Sequence, residues 1–187
     1  MVIEPFFTSK QEYREYAKKI RADLDIPFIS KKICENLKNQ DFFKFSQNIL
    51  AYFPMKNEID IKELFEDTTK NWYLPKVEPN KSLFIYSYKF GDPLVKSKHG
   101  VYEPIGDTVE VDPDKIDVAI IPALMTDHNG YRLGYGAGYY DRFLPGLKKD
   151  CIKITLIPEE LIADSIPFER WDIPVNKIIT PYNTFYV

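Results

Sequence analysis

The residues best placed to do chemistry lie between Gly130 and Leu144, in the run Gly-Tyr-Arg-Leu-Gly-Tyr-Gly-Ala-Gly-Tyr-Tyr-Asp-Arg-Phe-Leu. Gly134, Gly136 and Gly138 alternate, and a helix-like stretch follows them. Glycines so spaced permit positive φ and let backbone N–H groups come close to a ligand. A loop of such donors leading into a helix suits an anion, usually a phosphate. A tight strand-to-helix turn that binds nothing fits the glycine spacing equally well. Two familiar nucleotide loops are excluded. The dinucleotide fingerprint requires glycine where Tyr139 stands, and the P-loop requires Gly-Lys followed by Ser or Thr. Asp141 adds a second constraint, because a carboxylate beside a phosphate repels it. Mg²⁺ removes the conflict, since it favours one or two carboxylates together with phosphate oxygens. The alternative is that Asp141 complements the dipole of the first helical turn.

The elements that must position this loop can be read from hydrophobic spacing. Ser9 to Leu24 reads as a helix, with Thr8 or Ser9 as its cap and Tyr13, Ala17, Ile20 and Leu24 as its apolar stripe. Pro27 is expected to stop it. A second helix starts near Ser30, and a short aromatic one follows near Asp41 to Ser46. Asn48 to Phe53 reads as a strand closed by Pro54. Asp60 is expected to cap a helix that turns Ile61, Leu64, Phe65 and Thr68 inward. Tyr73 to Val77 and Ser82 to Tyr88 read as strands, and Lys89 to Lys115 as a long loop with Pro93, Gly100, Pro104, Gly106 and Pro113. Asp117 to Ile121 has the unbroken apolar character of a strand buried on both faces. His128 to Gly130 is a turn, Gly138 to Leu147 a helix, and Ile152 to Ile157 and Lys177 to Thr180 are the last strands. Strands that alternate with helices predict an α/β fold with a mainly parallel sheet.

The whole chain bounds the answer further. Its 187 residues suggest one domain spanning 1–187, with no internal repeat or linker. With 25 basic and 28 acidic residues the net charge is −3, which argues against general nucleic-acid binding. No apolar run approaches the ~20 residues of a membrane span, and Met1 to Pro5 carries no leader-like pattern. Cys34 and Cys151 form no Cys-x-x-Cys pair, so no zinc ribbon or redox motif is expected, and reduced thiols fit a cytoplasmic protein. His99 and His128 are too few for a His-rich metal site.

The run Arg132-Leu133-Gly134-Tyr135-Gly136-Ala137-Gly138-Tyr139-Tyr140-Asp141 resembles the signature of the 5-formyltetrahydrofolate cyclo-ligase (methenyltetrahydrofolate synthetase) family. The resemblance extends over nearly the whole chain. Lys10-x-x-x-Arg14 matches the family's N-terminal basic pair. Phe53-Pro54-Met55-Lys56-Asn57-Glu58 matches a strand end with a folate-binding glutamate. Gly100-Val101-Tyr102-Glu103-Pro104 matches a Gly-Ile-x-Glu-Pro loop, and Asp172 in Trp171-Asp172-Ile173-Pro174-Val175 matches a late aspartate.

The resemblance implies an α/β three-layer sandwich, a mainly parallel sheet flanked by helices, similar to sugar-phosphate isomerases and CoA transferases. It implies Mg²⁺- and ATP-dependent closure of 5-formyltetrahydrofolate to 5,10-methenyltetrahydrofolate by a cytoplasmic monomer that binds no nucleic acid or membrane. Lys10 and Arg14, one helical turn apart, would hold the ATP phosphates; without the family match, a solvated helix face explains them as well. Arg132, Leu133, Gly134, Tyr135, Gly136, Ala137, Gly138, Tyr139 and Tyr140 would wrap the nucleotide, with Lys10, Arg14, Arg132 and Tyr139 as the catalytic set. Asp141 and Asp172 would hold Mg²⁺. Glu58 would accept from the pterin edge, Phe53 and Met55 would line its pocket, and Tyr139 or Tyr140 would stack on it. Taken singly, Glu58 and Asp172 pass for surface charge and the apolar residues for core. Ala123, Thr126, Ala137 and Glu160 depart from the family pattern and put pocket shape and substrate preference in question. Two other functions remain open at this level: a phosphate-binding isomerase or transferase on the same scaffold, and a non-catalytic folate or nucleotide binder.

Overall fold

The computed structural model describes residues 7–78, 82–98, 100–105 and 110–187. The expectations for Met1 to Pro5, His99 and Gly106 lie outside these residues.

Helix α1 (Lys10–Asp23) opens on a capping box, in which the Ser9 hydroxyl accepts from the Glu12 N–H and the Glu12 carboxylate accepts from the Ser9 N–H. Its buried stripe is Tyr13, Ala17 and Arg21, whereas the expected Ile20 and Leu24 are half-buried. Helix α2 (Ile26–Asn39) begins earlier than expected. Asp25 caps it by accepting from the Phe28 N–H, and Pro27 lies in its first turn, where a missing N–H costs nothing. The proline therefore opens one helix instead of stopping the previous one. Helix α3 (Asp41–Phe45) follows as expected.

Strand β1 (Asn48–Leu50) ends before the expected Phe53, freeing Tyr52 to Met55 to run on as chain at the sheet's end. The helix expected after Asp60 is a 3₁₀ turn, Lys62–Glu66, and Thr68 is exposed. Strands β2 (Asn71–Val77) and β3 (Leu83–Tyr88) form an antiparallel pair. The stretch read as one long loop contains a hairpin, β4 (Leu94–Lys96) against β5 (Tyr102–Pro104), whose three-residue strands fall below what periodicity can show. Strand β6 (Val118–Ile120) is buried throughout. Strands β7 (Met125–Asp127) and β8 (Arg132–Leu133), not expected from the sequence, flank the 128–130 turn. Helix α4 (Tyr139–Phe143) has only five residues, because Pro145 and Gly146 draw the chain into a 3₁₀ turn. Strands β9 (Ile152–Leu156), β10 (Ile162–Ala163), β11 (Lys177–Ile179) and β12 (Thr184–Tyr186) complete the chain.

Seven strands form the main sheet in the order β12-β11-β9-β6-β1-β2-β3. The five central strands run parallel, and β3 and β12 are antiparallel edges. Side chains alternate across it. Ile49, Val118, Ile120 and Leu74 pack with α2 and the 3₁₀ turn after Asp60. Leu50, Ala119, Ile121 and Tyr73 pack with α1, α4 and the small sheet β10-β7-β8. The sheet is thus a middle layer between two apolar clusters. Trp72 sits in the first, 4% exposed, its indole N–H donating to the Asp67 carbonyl. Among the described residues, no helix is long and apolar enough to cross a membrane.

Candidate active site

The glycine loop joins β8 to α4 at the end of the small sheet. Gly136 has φ +107° and Gly138 φ +65°, both in the region that favours glycine. A Cβ on Gly136 would stand 3.5 Å from the Arg14 guanidinium carbon, so the loop passes directly under that side chain. Among the described residues, the backbone N–H groups of 135–138 make no hydrogen bond and remain available to oxygens of a ligand. The short α4 carries little dipole, so donor geometry, not a helix end, is what this loop offers.

Around the loop, cations are held by carboxylates and carbonyls. Lys10 Nζ lies 2.6 Å from Asp172 Oδ2 and 3.3 Å from Glu169 Oε1. Arg14 Nε donates to the Gly134 carbonyl at 2.9 Å. Arg132, its side chain only 4% exposed, pairs with Asp141 at 2.6 Å and donates to the Ile173 carbonyl. Asp141 also accepts from the Ile173 N–H at 3.3 Å, which brings it alongside the segment carrying Asp172. Asp141 thus does more than complement a helix dipole, since it binds both Arg132 and the Ile173 backbone.

The other side of the site is drier. The chain leaving β1 turns through Asn57, which has φ +68°, and places Glu58 at 7% exposure. Glu58 accepts from the Met55 N–H at 2.7 Å and from the Tyr135 hydroxyl at 2.6 Å. Burial pushes its carboxyl above the usual glutamate range, although both hydrogen bonds and the charge of Arg21 act against that rise. Burial and the Glu58 charge raise the hydroxyls of Tyr135 and Tyr140 as well. The Tyr140 hydroxyl is buried without a hydrogen-bond partner among the described residues. Phe53 packs edge-on to Tyr102 at 5.4 Å, and the Arg142 guanidinium lies over the Tyr139 ring at 5.3 Å.

The residues expected to bind ATP, folate and Mg²⁺ all line one cavity of about 730 Å³. Lys10, Arg14, Asp141 and Asp172 gather around the glycine loop, Phe53, Met55 and Glu58 line the same cavity, and Tyr135 of the loop joins the two groups through its hydrogen bond to Glu58. That volume is in the range of small-molecule sites. His128 is exposed in its turn and lies outside the cavity. Sequence reasoning missed several walls: Tyr52, Glu103, Arg142, Glu169 and Trp171. Glu103, 7% exposed and accepting from the Val77 N–H at 3.3 Å, sits in a motif that was noticed but given no role. Trp171, beside Asp172, is 57% exposed at the rim.

The 5-formyltetrahydrofolate cyclo-ligase family matches residues 8–181. The chain is 29% identical over 180 residues to a 5-formyltetrahydrofolate cyclo-ligase of Haemophilus influenzae, covering 91% of this chain and 96% of that one. Among solved structures, it superposes on a 5,10-methenyltetrahydrofolate synthetase of Aquifex aeolicus with a TM-score of 0.83 at 32% identity, over 95% of this chain and 92% of that one. A 5,10-methenyltetrahydrofolate synthetase of Mycoplasma pneumoniae shares the fold, with a TM-score of 0.75 at 22% identity over 93% of this chain and 99% of that one. With the family match over 8–181 and the near full-length superposition, the chain belongs to the 5-formyltetrahydrofolate cyclo-ligase family.

Proposed function

We propose that the chain uses ATP to close 5-formyltetrahydrofolate to 5,10-methenyltetrahydrofolate, releasing ADP and phosphate. The observation that carries this reading is one cavity lined both by Lys10, Arg14 and the glycine loop and by the buried Glu58 carboxylate. A formamide oxygen is a poor leaving group. Its attack on the γ-phosphorus of ATP makes it a phosphate ester of an iminium-like carbon and expels ADP. The folate N10 then attacks that carbon, loses its proton, and phosphate departs with the former formyl oxygen. Such steps ask the protein chiefly to position groups and to balance charge.

Lys10 and Arg14 take the nucleotide phosphates, and the N–H groups of 135–138 add donors along the loop. Arg132 and Tyr139 complete the reacting side, with Tyr139 or Tyr140 against the pterin. Glu58 accepts from the amino group and ring N–H of the pterin, a pairing that a carboxylate can make through both oxygens. Phe53 and Met55 supply the apolar wall.

The carboxylates also fit magnesium. Asp141 and Asp172 use one oxygen each in the hydrogen bonds described, and Ile173 ties their segments together. Among the described residues, no three metal-ligating side chains converge, which suits an ion whose remaining ligands are phosphate oxygens and water. Bound there, the ion would neutralise charge on the phosphates during transfer.

The candidate residues all come from one chain, which supports a monomer acting as a single catalytic unit. The net charge of −3 and the buried thiols, Cys34 pushed to about 12 and Cys151 to about 11 by burial, fit a reducing cytoplasm. The layered parallel sheet supports grouping the fold with sugar-phosphate isomerases and CoA transferases.

The test is near-ultraviolet absorbance with 5-formyltetrahydrofolate, ATP and Mg²⁺, each omitted in turn. The conjugated amidinium of the product raises absorbance, and the rise is expected only with all three. No rise with the complete mixture would overturn the reading.

A further inference from the structure

Arg21 carries a charge where charges are rare. It follows Tyr13 and Ala17 on the buried stripe of α1 and is 4% exposed. Among the described residues its guanidinium pairs with no carboxylate. One terminal nitrogen donates to the Asn57 carbonyl at 3.0 Å, and the other to the carbonyls of Ala123 at 3.0 Å and Leu124 at 3.2 Å. Its Nε is buried without a partner among the described residues. A buried cation held by carbonyls alone is costly to desolvate.

The location of the acceptors is informative. Asn57 is the residue before Glu58 and, among the described residues, the one non-glycine with positive φ. Ala123 and Leu124 follow Pro122, which forms part of the cavity wall. Arg21 therefore fastens the strained turn that carries Glu58 to the segment leaving β6. Lys70 provides a contrast. It too is buried, and it donates to the carbonyls of Phe43, Lys44 and Ser46, closing the end of α3. Arg21's acceptors do not line the cavity themselves but adjoin lining residues, Glu58 and Pro122, whereas no acceptor of Lys70 adjoins one.

We propose that Arg21 is a positioning residue for pterin recognition, locking the Asn57–Glu58 turn so that the Glu58 carboxylate points into the cavity. The inference rests on the reading of Glu58 as the pterin acceptor. Charge reinforces geometry. The groups acting on Glu58 are Arg21 from α1, Tyr52 after β1, Tyr135 from the loop and Tyr140 from α4, and Arg21 is the cation among them. It opposes the rise that burial imposes on the carboxyl.

The experiment compares R21M, R21K, E58Q and R21M/E58Q, measuring folate affinity without nucleotide, KM for ATP and thermal stability. R21M is expected to weaken 5-formyltetrahydrofolate binding roughly tenfold or more, the scale of a charge-assisted hydrogen bond. KM for ATP stays within about twofold, because the nucleotide side is untouched. R21K, which keeps the charge, restores most of the affinity. The acid limb of folate affinity moves to higher pH in R21M, because Glu58 loses the cation that helps it ionise. The double variant binds folate no worse than E58Q.

Equal changes for both substrates, or unchanged folate affinity in R21M, would overturn the proposal. Where R21M fails to fold, R21K decides: a rise in folate Kd of about threefold with ATP unchanged supports positioning, and no rise overturns it. Normal folate binding by E58Q would instead sink the Glu58 reading on which the inference stands.

Discussion

The two sides of the cavity balance their charges in opposite ways. Around the loop proposed for the nucleotide, cations and anions bind each other: the partly solvated Lys10 to Asp172 and Glu169, and the buried Arg132 to the partly solvated Asp141. Where the pterin is proposed to bind, the buried Glu58 carboxylate is held by neutral donors, Tyr135 and the Met55 backbone, with Arg21 behind it. The first arrangement can exchange partners. A metal arriving with phosphates would take the carboxylates and leave the cations for the phosphate oxygens. The second cannot rearrange cheaply, because Glu58 has little water to fall back on. On the proposed reading, the nucleotide side is built for exchange and the folate side for a fixed outline.

The sharpest way to break this comparison is Asp141→Asn. Turnover at saturating Mg²⁺ is expected to fall about 100-fold or more, the scale of a lost metal contact in transfer chemistry. The melting temperature should move far less than for a core truncation. Near-normal turnover would remove Asp141 from the metal. Next in size, Glu58→Gln should raise KM for folate by roughly 10- to 100-fold, as expected for a charged hydrogen bond to substrate. KM for ATP should hold, and thermal stability should rise, because a buried charge is gone. A fall in stability would mean that Glu58 is structural.

Lys10→Ala should raise KM for ATP about tenfold, the cost of one phosphate contact. Its half-solvated pairs contribute little to folding, so a large loss of stability or equal effects on both substrates would blur the two sides.

The smallest expected effect is one of pH. The Glu58 carboxyl is raised in the folded state, so between the usual glutamate value and that raised value the folded protein binds the extra proton. Stability should therefore fall as pH rises through that window, and the slope should flatten in E58Q. Folate affinity should move the other way, weakening as pH falls and Glu58 protonates. Thermal melts and folate titrations across mildly acidic pH would check both.

Much of the site was legible because its residues are unusual in kind. Alternating glycines before Tyr-Tyr-Asp, and a Lys and Arg one turn apart, have few bland explanations when they occur together. The fold was legible where a pattern was long, as in α1, or a run was apolar throughout, as around β6. It was hidden where elements were short or where one residue has two uses. Pro27 reads as a stop but serves in a first turn. The three-residue strands of the 94–104 hairpin carry no period to detect. Arg21 was the deepest miss. Along the sequence it looks like another solvated cation after Lys18 and Lys19, although the helical wheel sets it on the stripe of Tyr13 and Ala17, and the chain folding back at Asn57 and Ala123 gives its guanidinium a place inside.

The placing of the two tryptophans makes the protein its own optical instrument. Trp72 is sealed in the core and Trp171 stands in water at the cavity rim. Their emissions are thereby sorted by colour, blue for the buried indole and red for the wet one. The blue signal follows whether the chain is folded, and the red signal follows whether the rim is covered. A single fluorescence spectrum therefore reads folding and occupancy together, without an added label.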